Sequence, residues 1–305
     1  SDGDGVSNFA DDYPLDPALP PQGELRGKSC VVVIVNCVSE PTPAPFNPDP
    51  TSISSQGSSS LSLDWGDVDG DGDLDLAVGN NGAQNALYLN RGNGLESTPV
   101  WTSSDSLVSI DVAWGDYDGD GDLDLAVANY EGPVQVFRNQ QGMLTTTAVW
   151  SYLHGGATEY SRGTSLDWGD VDNDGDLDLA VGFLQDGIYL FRNSGLGLSI
   201  ASYWNGGSSG DIMDVKFADI DGDNDLDLLE AVSGGRNSIY QNSGNSFSSA
   251  TLWKSSDSLS TSSIAAGDID DDGDMDIVLG THGGVNQLFL SSGGSLPTSA
   301  TWNST

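Results

Sequence analysis

Five stretches with aspartate at alternate positions carry the chemistry of this sequence. The first, Asp67-Val68-Asp69-Gly70-Asp71-Gly72-Asp73-Leu74-Asp75, reads D-x-D-x-D-G-D-x-D; four more begin at Asp116, Asp170, Asp219 and Asp268. Carboxylates so close repel one another without a counter-ion, and aspartate is a poor strand former. A hard divalent cation answers both problems. Calcium takes six to eight oxygens at roughly 2.3–2.6 Å, from carboxylates and backbone carbonyls in a tightly turned loop. The sixth position is Gly72, Gly121, Gly175, Asn224 or Gly273, the residue types that best tolerate left-handed backbone. Side chains at positions one, three, five and nine are assigned as ligands: Asp67, Asp69, Asp71 and Asp75; Asp116, Asp118, Asp120 and Asp124; Asp170, Asp172, Asp174 and Asp178; Asp219, Asp221, Asp223 and Asp227; Asp268, Asp270, Asp272 and Asp276. Position seven (Asp73, Asp122, Asp176, Asp225 or Asp274) offers its backbone carbonyl and leaves its carboxylate for water or a neighbour. The loop is not an EF-hand, since position twelve of the first copy is Val78 in a strand pattern rather than a Glu before a helix. A lone loop of this kind can be a solvated acidic turn; five in matching places predict about five bound Ca²⁺.

Each loop runs into an apolar strand, as in Leu76-Ala77-Val78 or Ile277-Val278-Leu279, and loop starts are separated by 49, 54, 49 and 49 residues. All eight Trp fall at two repeat positions. Trp65, Trp114 and Trp168 stand two residues before their loops, where Phe217 and Ala266 stand in copies four and five. Trp101, Trp150, Trp204, Trp253 and Trp302 come late in each copy. Between them lies a third strand, such as Ile188-Tyr189-Leu190-Phe191, mostly ending at an Asn: Asn90, Asn139, Asn193 or Asn242. Each unit therefore reads as four short antiparallel strands, with the acidic loop joining the first to the second. A period of 40–50 residues with four strands predicts an all-β fold of propeller blades, in which the tryptophans are blade core.

Residues 55–305 resemble the FG-GAP/VCBS repeat family, whose members include the integrin α-subunit propeller, secreted lectins and bacterial surface proteins. The motif W-G-D-x-D-x-D-G-D-x-D-L-x-V-G matches closely in the first copy. Copy four departs at Phe217-Ala218 and Asn224, and copy five at Ala266 and Met275, without loss of a ligand carboxylate. The resemblance implies that the ions rigidify blade hairpins rather than catalyse. Integrin-like propellers have seven blades and five repeats are present here, so either five blades close a ring or the chain is part of a longer propeller.

Composition narrows the partners. Forty-six acidic residues against nine Lys and Arg give a formal charge of -37, which five Ca²⁺ would bring to -27. Nucleic acid and anionic membrane surfaces are thereby disfavoured. No apolar run is long enough to span a membrane. Ser1 is not a natural start, so a leader is expected to have been removed or to lie outside this stretch.

Residues 1–17 form another acidic motif, resembling a partial thrombospondin type 3 calcium repeat. The resemblance implies a sixth ion, held by Asp2, Asp4, Asn8 and Asp11 with the Val6 carbonyl; a free acidic arm is the alternative. Residues 18–54 are a Pro-rich arm broken by one strand, Cys30-Val31-Val32-Val33-Ile34-Val35-Asn36-Cys37. Apolar on both faces, it must add to a sheet edge or enter a groove. An extended strand would hold the two Cys Cα atoms roughly 23 Å apart at about 3.3 Å per residue, whereas a disulfide needs them within about 7 Å. So the strand bends into a hairpin or each Cys pairs elsewhere.

No nucleophile elbow, zinc-protease or phosphate-loop motif is present. Asp105, Asp111, Glu131, Glu159 and Glu230 lie outside the loops, with nothing in the spacing to pair them. The chain is therefore not expected to be an enzyme. One irregular segment, residues 152–162, holds the five-residue excess of the 54-residue interval and places His154, Tyr160 and Arg162 where a sugar or peptide could bind. The expected function is a secreted or cell-surface, calcium-stabilised structural or adhesive propeller that self-assembles into a filament through residues 28–38. The alternative is a lectin with glycan sites between blades; extracellular proteins are further candidate partners.

Overall fold

Each sequence period becomes one four-stranded antiparallel sheet. The computed structural model describes residues 57–304 except 93, 156–160, 196 and 245. The expectations for residues 1–17, for the strand at 30–37 and for Tyr160 lie outside the described residues. Blade 1 is β1 (Ser60–Gly66), β2 (Asp75–Asn80), β3 (Ala86–Tyr88) and β4 (Trp101–Thr102). Blade 2 is β5 (Ser109–Gly115), β6 (Asp124–Asn129), β7 (Val134–Phe137) and β8 (Trp150–Tyr152). Blade 3 is β9 (Gly163–Gly169), β10 (Asp178–Phe183), β11 (Gly187–Phe191) and β12 (Trp204–Gly206). Blade 4 is β13 (Asp211–Ala218), β14 (Asp227–Gly235), β15 (Ser238–Asn242) and β16 (Phe247–Lys254). Blade 5 is β17 (Leu259–Gly267), β18 (Asp276–Thr281), β19 (Gln287–Phe289) and β20 (Trp302–Asn303). Strands pair in chain order within each blade, and β14 also touches β17 at Ser233 and Ser260, so that blades 4 and 5 share an eight-stranded sheet. The described residues contain no helix, and hence none that could cross a membrane.

The first strands of consecutive blades pack on one another, β1 on β5, β5 on β9, β9 on β13 and β13 on β17. One apolar cluster fills each joint. The late tryptophan of one blade meets an aromatic ring on the third strand of the next. Trp101 faces Phe137 at 5.3 Å, Trp150 faces Phe191 at 5.2 Å, and Trp253 faces Phe289 at 5.1 Å, all edge to face. The same indoles donate Nε1–H to carbonyls of the next blade, those of Thr145, Ser199 and Pro297. Such pairs add about 0.5–1.5 kcal/mol beyond area burial.

Early tryptophans plug the first two joints from the other side, and Phe217 the third. Trp114 lies over Gly66 and Trp168 over Gly115, so close that a Cβ at Gly115 would sit 2.7 Å from Trp168 Cγ. A Gly115→Ala protein should therefore lose about 1–3 kcal/mol, the usual range for overpacking, measurable by urea denaturation; Gly267→Ala, with nothing within 4 Å of the new carbon, should leave the stability of the isolated chain unchanged.

Acids on the opposite face of the first strands stitch the joints. Residues one and three before the early aromatic share a face, because side chains alternate along a strand. From there Asp64 Oδ2 accepts the Trp114 N–H at 2.9 Å and Asp111 Oδ2 the Leu166 N–H at 3.0 Å. Asp167 Oδ2 accepts the Phe217 N–H at 2.8 Å, and Asp214 Oδ2 the Ile264 N–H at 2.9 Å.

Two tryptophans depart from the blade-core expectation. Trp65 is 52% exposed and Trp302 54% exposed, against 5% for Trp114 and 4% for Trp101. The reason is positional. Trp65 faces the side of blade 1 where a preceding blade would stand, and Trp302 the side of blade 5 where a following one would. β17 does not pack on β1 as the consecutive first strands pack on each other.

Candidate metal centres

The five acidic loops connect the first to the second strand of every blade, at one edge of each sheet. Position nine opens the second strand and pairs with the residue closing the first, as in Gly66 with Asp75 and Gly115 with Asp124. It is fully buried in all five blades. One carboxylate oxygen accepts the N–H of position two, from Val68, Tyr117, Val171, Ile220 or Ile269. The other accepts the N–H at the end of the third strand, from Asn90, Asn139, Asn193, Asn242 or Ser291. Burial pushes four of these carboxyls up, Asp75 among them, with Asp124 and Asp178 raised to about 7 and Asp227 to about 6, while the backbone donors hold them back.

Position one folds the loop over itself. Its carboxylate accepts the N–H of position six, at 3.1 Å for Asp67 from Gly72 and 3.0 Å for Asp219 from Asn224. That turn needs left-handed backbone, with φ of 95° at Gly72 and 70° at Asn224. Position five accepts the N–H of position seven in every loop. Three position-seven carboxylates turn to neighbours: Asp122 accepts from Gln141, Asp225 from Asn173 of the preceding loop, and Asp274 from Gly294.

What remains converges on a point inside each loop. Oxygens of Asp67, Asp69 and Asp71 lie within 4.8 Å of one another, as do those of Asp116, Asp118 and Asp124; Asp170, Asp172 and Asp174; Asp219, Asp221 and Asp223; and Asp268, Asp270 and Asp276. Position nine thus joins the cluster in two loops and stands as a backbone clasp in all five. The decisive detail is position three. The Oδ1 atoms of Asp69, Asp118, Asp172 and Asp221 are buried with no hydrogen-bond donor, as is Asp67 Oδ1. A buried anionic oxygen without a partner is costly, and a hard cation would supply the missing charge. The donor set, all oxygen, suits calcium.

The outer oxygen of position three is held by a residue that the loop pattern does not reveal. Arg138 Nη1 lies 3.5 Å from Asp118 Oδ2, Arg192 Nε 3.2 Å from Asp172 Oδ2, and Gln241 Nε2 donates to Asp221 Oδ2 at 2.6 Å. Arg91 Nη1 stands 3.9 Å from Asp69 Oδ2. The available signal was a cation or amide flanking the third-strand Asn, in a chain with only nine Lys and Arg. Asn139, Asn193 and Asn242 also reach back a blade, each donating Nδ2–H to the position-two carbonyl of the preceding loop, that of Val68, Tyr117 or Val171. Loops and joints are therefore one hydrogen-bonded system.

Five four-stranded blades with such a loop in each match a known repeat. The FG-GAP-like repeat pattern fits residues 67–127, 116–181 and 231–279, together more than half of the sequence. The chain belongs to the FG-GAP-like repeat family. The fourth loop lies outside the matched stretches, yet this FG-GAP-like chain folds it as it folds the others. Two solved β-propeller structures share the fold at low identity. One is BBS1N in complex with ARL6DN, 16% identical, TM-score 0.52, covering 77% of this chain. The other is Sqt1 of Saccharomyces cerevisiae, 13% identical, TM-score 0.57, covering 78%. The chain spans 66% and 61% of those two proteins, less than two thirds of each. A search of curated proteins gives no match.

A second polar centre lies on the stitched face of the first strands. Lys216 on β13 places Nζ 3.6 Å from Asp167 Oδ1 and 3.9 Å from Asp214 Oδ1. Burial works to lower its ammonium and is overridden by Asp167, Asp214, Asp111 and Asp64, which hold it above the ordinary lysine value. Burial in turn pushes Asp64 and Asp214 up to about 6, with Asp111 and Asp167 also raised.

Of the residues expected to form a ligand site, His154 and Arg162 are described, both beside the end of β10, where the Arg162 carbonyl accepts the Leu184 N–H. His154 packs on Phe183 and Tyr189, at 4.9 and 4.8 Å between ring centroids, and touches Asp186. Arg162 instead stacks over Tyr130 at 5.9 Å. Three of the acids outside the loops have structural partners: Asp105 accepts from Gln135, Asp111 from Leu166, and Glu230 from Tyr240 and Ser208.

Proposed function

We propose that this FG-GAP-like chain is a calcium-stabilised structural or adhesive propeller that works outside the cell. The observation that carries the reading is the orphaned, buried position-three oxygen, repeated at Asp69, Asp118, Asp172 and Asp221. Positions one, three and five, with position nine in some loops, would hold the ion. Calcium supplies charge neutralisation there, and the clasped position-nine carboxylate transmits it to the strand pairing. Millimolar calcium, found outside cells, matches the affinity of extracellular calcium modules, about 10⁻⁴–10⁻³ M. A formal charge of -37 supports the same setting.

The partner in this reading is another copy of the chain, reached through residues 28–38. The run Val31–Val35 is too apolar to stay in water, and an unpaired strand seeks a sheet edge, where backbone hydrogen bonds give affinity and alternate side chains specificity. Deleting residues 1–50 tests it by light scattering. A folded, monodisperse monomer from a formerly polymeric protein is expected; a polymer that survives the deletion would overturn the arm contact.

A further inference from the structure

We infer that the exposed face of blade 1 and the exposed face of blade 5 are the two halves of one more blade joint, closed between two copies of this chain head to tail. The first three internal joints have the same parts; at the fourth, Ala218, Ala266 and Met275 stand in place of the glycine, the aromatic and the leucine. The incoming blade presents an aliphatic residue, an aromatic and a loop leucine: Val112, Trp114 and Leu123 at the first joint. The outgoing blade receives them at a glycine; a Cβ on Gly66 would lie 2.8 Å from Trp114 and 2.9 Å from Leu123. Blade 1 carries the incoming set, Leu63, Trp65 and Leu74, on its outer side, with Leu63 59% exposed. Blade 5 carries the matching receptor. Nothing lies within 4 Å of a Cβ on Gly267, and Ile269 and Trp302 beside it are exposed where Val68 and Trp101 are buried.

The polar parts match as well. Asn90 stands where Asn139 donates to the Val68 carbonyl, and Ile269 offers the corresponding carbonyl. Knob and socket are on opposite ends of one chain, so the contact is heterologous and propagates instead of closing a dimer. It does not need the N-terminal arm. One element is missing: blade 5 has Ser263 and Ala265 where blades 1 to 4 supply the stitching acid. The joint between copies is thus weaker than those within a chain. Given the charge of -37, it should form only with calcium bound.

Two single-cysteine proteins test it, Asp73→Cys and Asp271→Cys, each also carrying Cys30→Ser and Cys37→Ser. These positions correspond to Asp225 and Asn173, which meet at the rim of the joint between blades 3 and 4, so knob and socket stay intact. Mixed in calcium with a short bismaleimide, they should give a covalent dimer whose linked peptides join 73 to 271; neither protein alone should do so. No dimer from the mixture would overturn the inference. So would a double-cysteine protein that links only within one chain, because the blades would then close on themselves. If assembly survives deletion of residues 1–50 while 73 still links to 271, the arm contact fails and this one stands.

Discussion

Removing calcium is expected to lower the melting temperature of the propeller by on the order of 20 °C or more. Each loop concentrates at least five aspartates, and four of the five loops bury at least one carboxylate oxygen without a donor. At a free concentration a hundredfold above its dissociation constant, an ion adds about 2.7 kcal/mol per site. Five such sites approach the whole stability of an ordinary domain, about 5–15 kcal/mol. At roughly 2–4 °C per kcal/mol for a domain of this size, the shift is large even if the sites share much of their effect. Five of the tryptophans are buried in the joints, so their fluorescence reports unfolding directly. An unchanged melting curve in excess chelator would mean that the backbone hydrogen bonds within the loops suffice on their own.

Lys216→Met should cost about 3–5 kcal/mol at pH 8, the usual price of leaving a buried charge uncompensated, and much less at pH 5. Lys216 is the cation nearest to Asp167 and Asp214, and acts at longer range on Asp64 and Asp111. The sign follows from the acids. Burial raises Asp64 and Asp214 to about 6, above the value of 3.8 for an unperturbed carboxyl. Between those values the folded state binds more protons than the unfolded one, so the stability these groups contribute is complete below about 4 and is lost as pH rises through about 6. Without the ammonium their pKa values rise further. At pH 5 the acids are protonated and need no counter-charge; at pH 8 they repel. Denaturant melts in saturating calcium, which keeps the loops constant, measure the difference. A cost that does not vary between pH 5 and pH 8 would show that Lys216 acts through packing alone.

The loops were legible because their chemistry is local: nine consecutive residues specify the acidic cluster, the turn and the strand start. Blade period, strand number and the turn asparagines were legible for the same reason, each copy being checked against four others. The stitching acids were not. Asp64, Asp111, Asp167 and Asp214 sit on strands beside apolar residues, and an alternating strand reads as apolar inside and polar outside. Here the polar face is covered by the next blade, whose backbone N–H lies 50 or 55 residues away in sequence. Their position also alternates, one residue before the aromatic in blades 1 and 3 and three before it in blades 2 and 4. The exposure of Trp65 and Trp302 escaped sequence reasoning because a repeat pattern treats end blades like middle ones, whereas burial depends on the neighbour.

Counting bound calcium tests the central claim most directly. The full chain, stripped by chelator, is dialysed to equilibrium against saturating calcium in high salt, and the excess metal on the protein side is measured by plasma mass spectrometry. Expected are at least five ions per chain, one from each cluster, and one fewer in an Asp71→Ala protein that keeps the other four loops. Fewer than three ions per chain, or an Asp71→Ala protein that binds as many as the parent, would contradict the assignment of these loops as calcium sites.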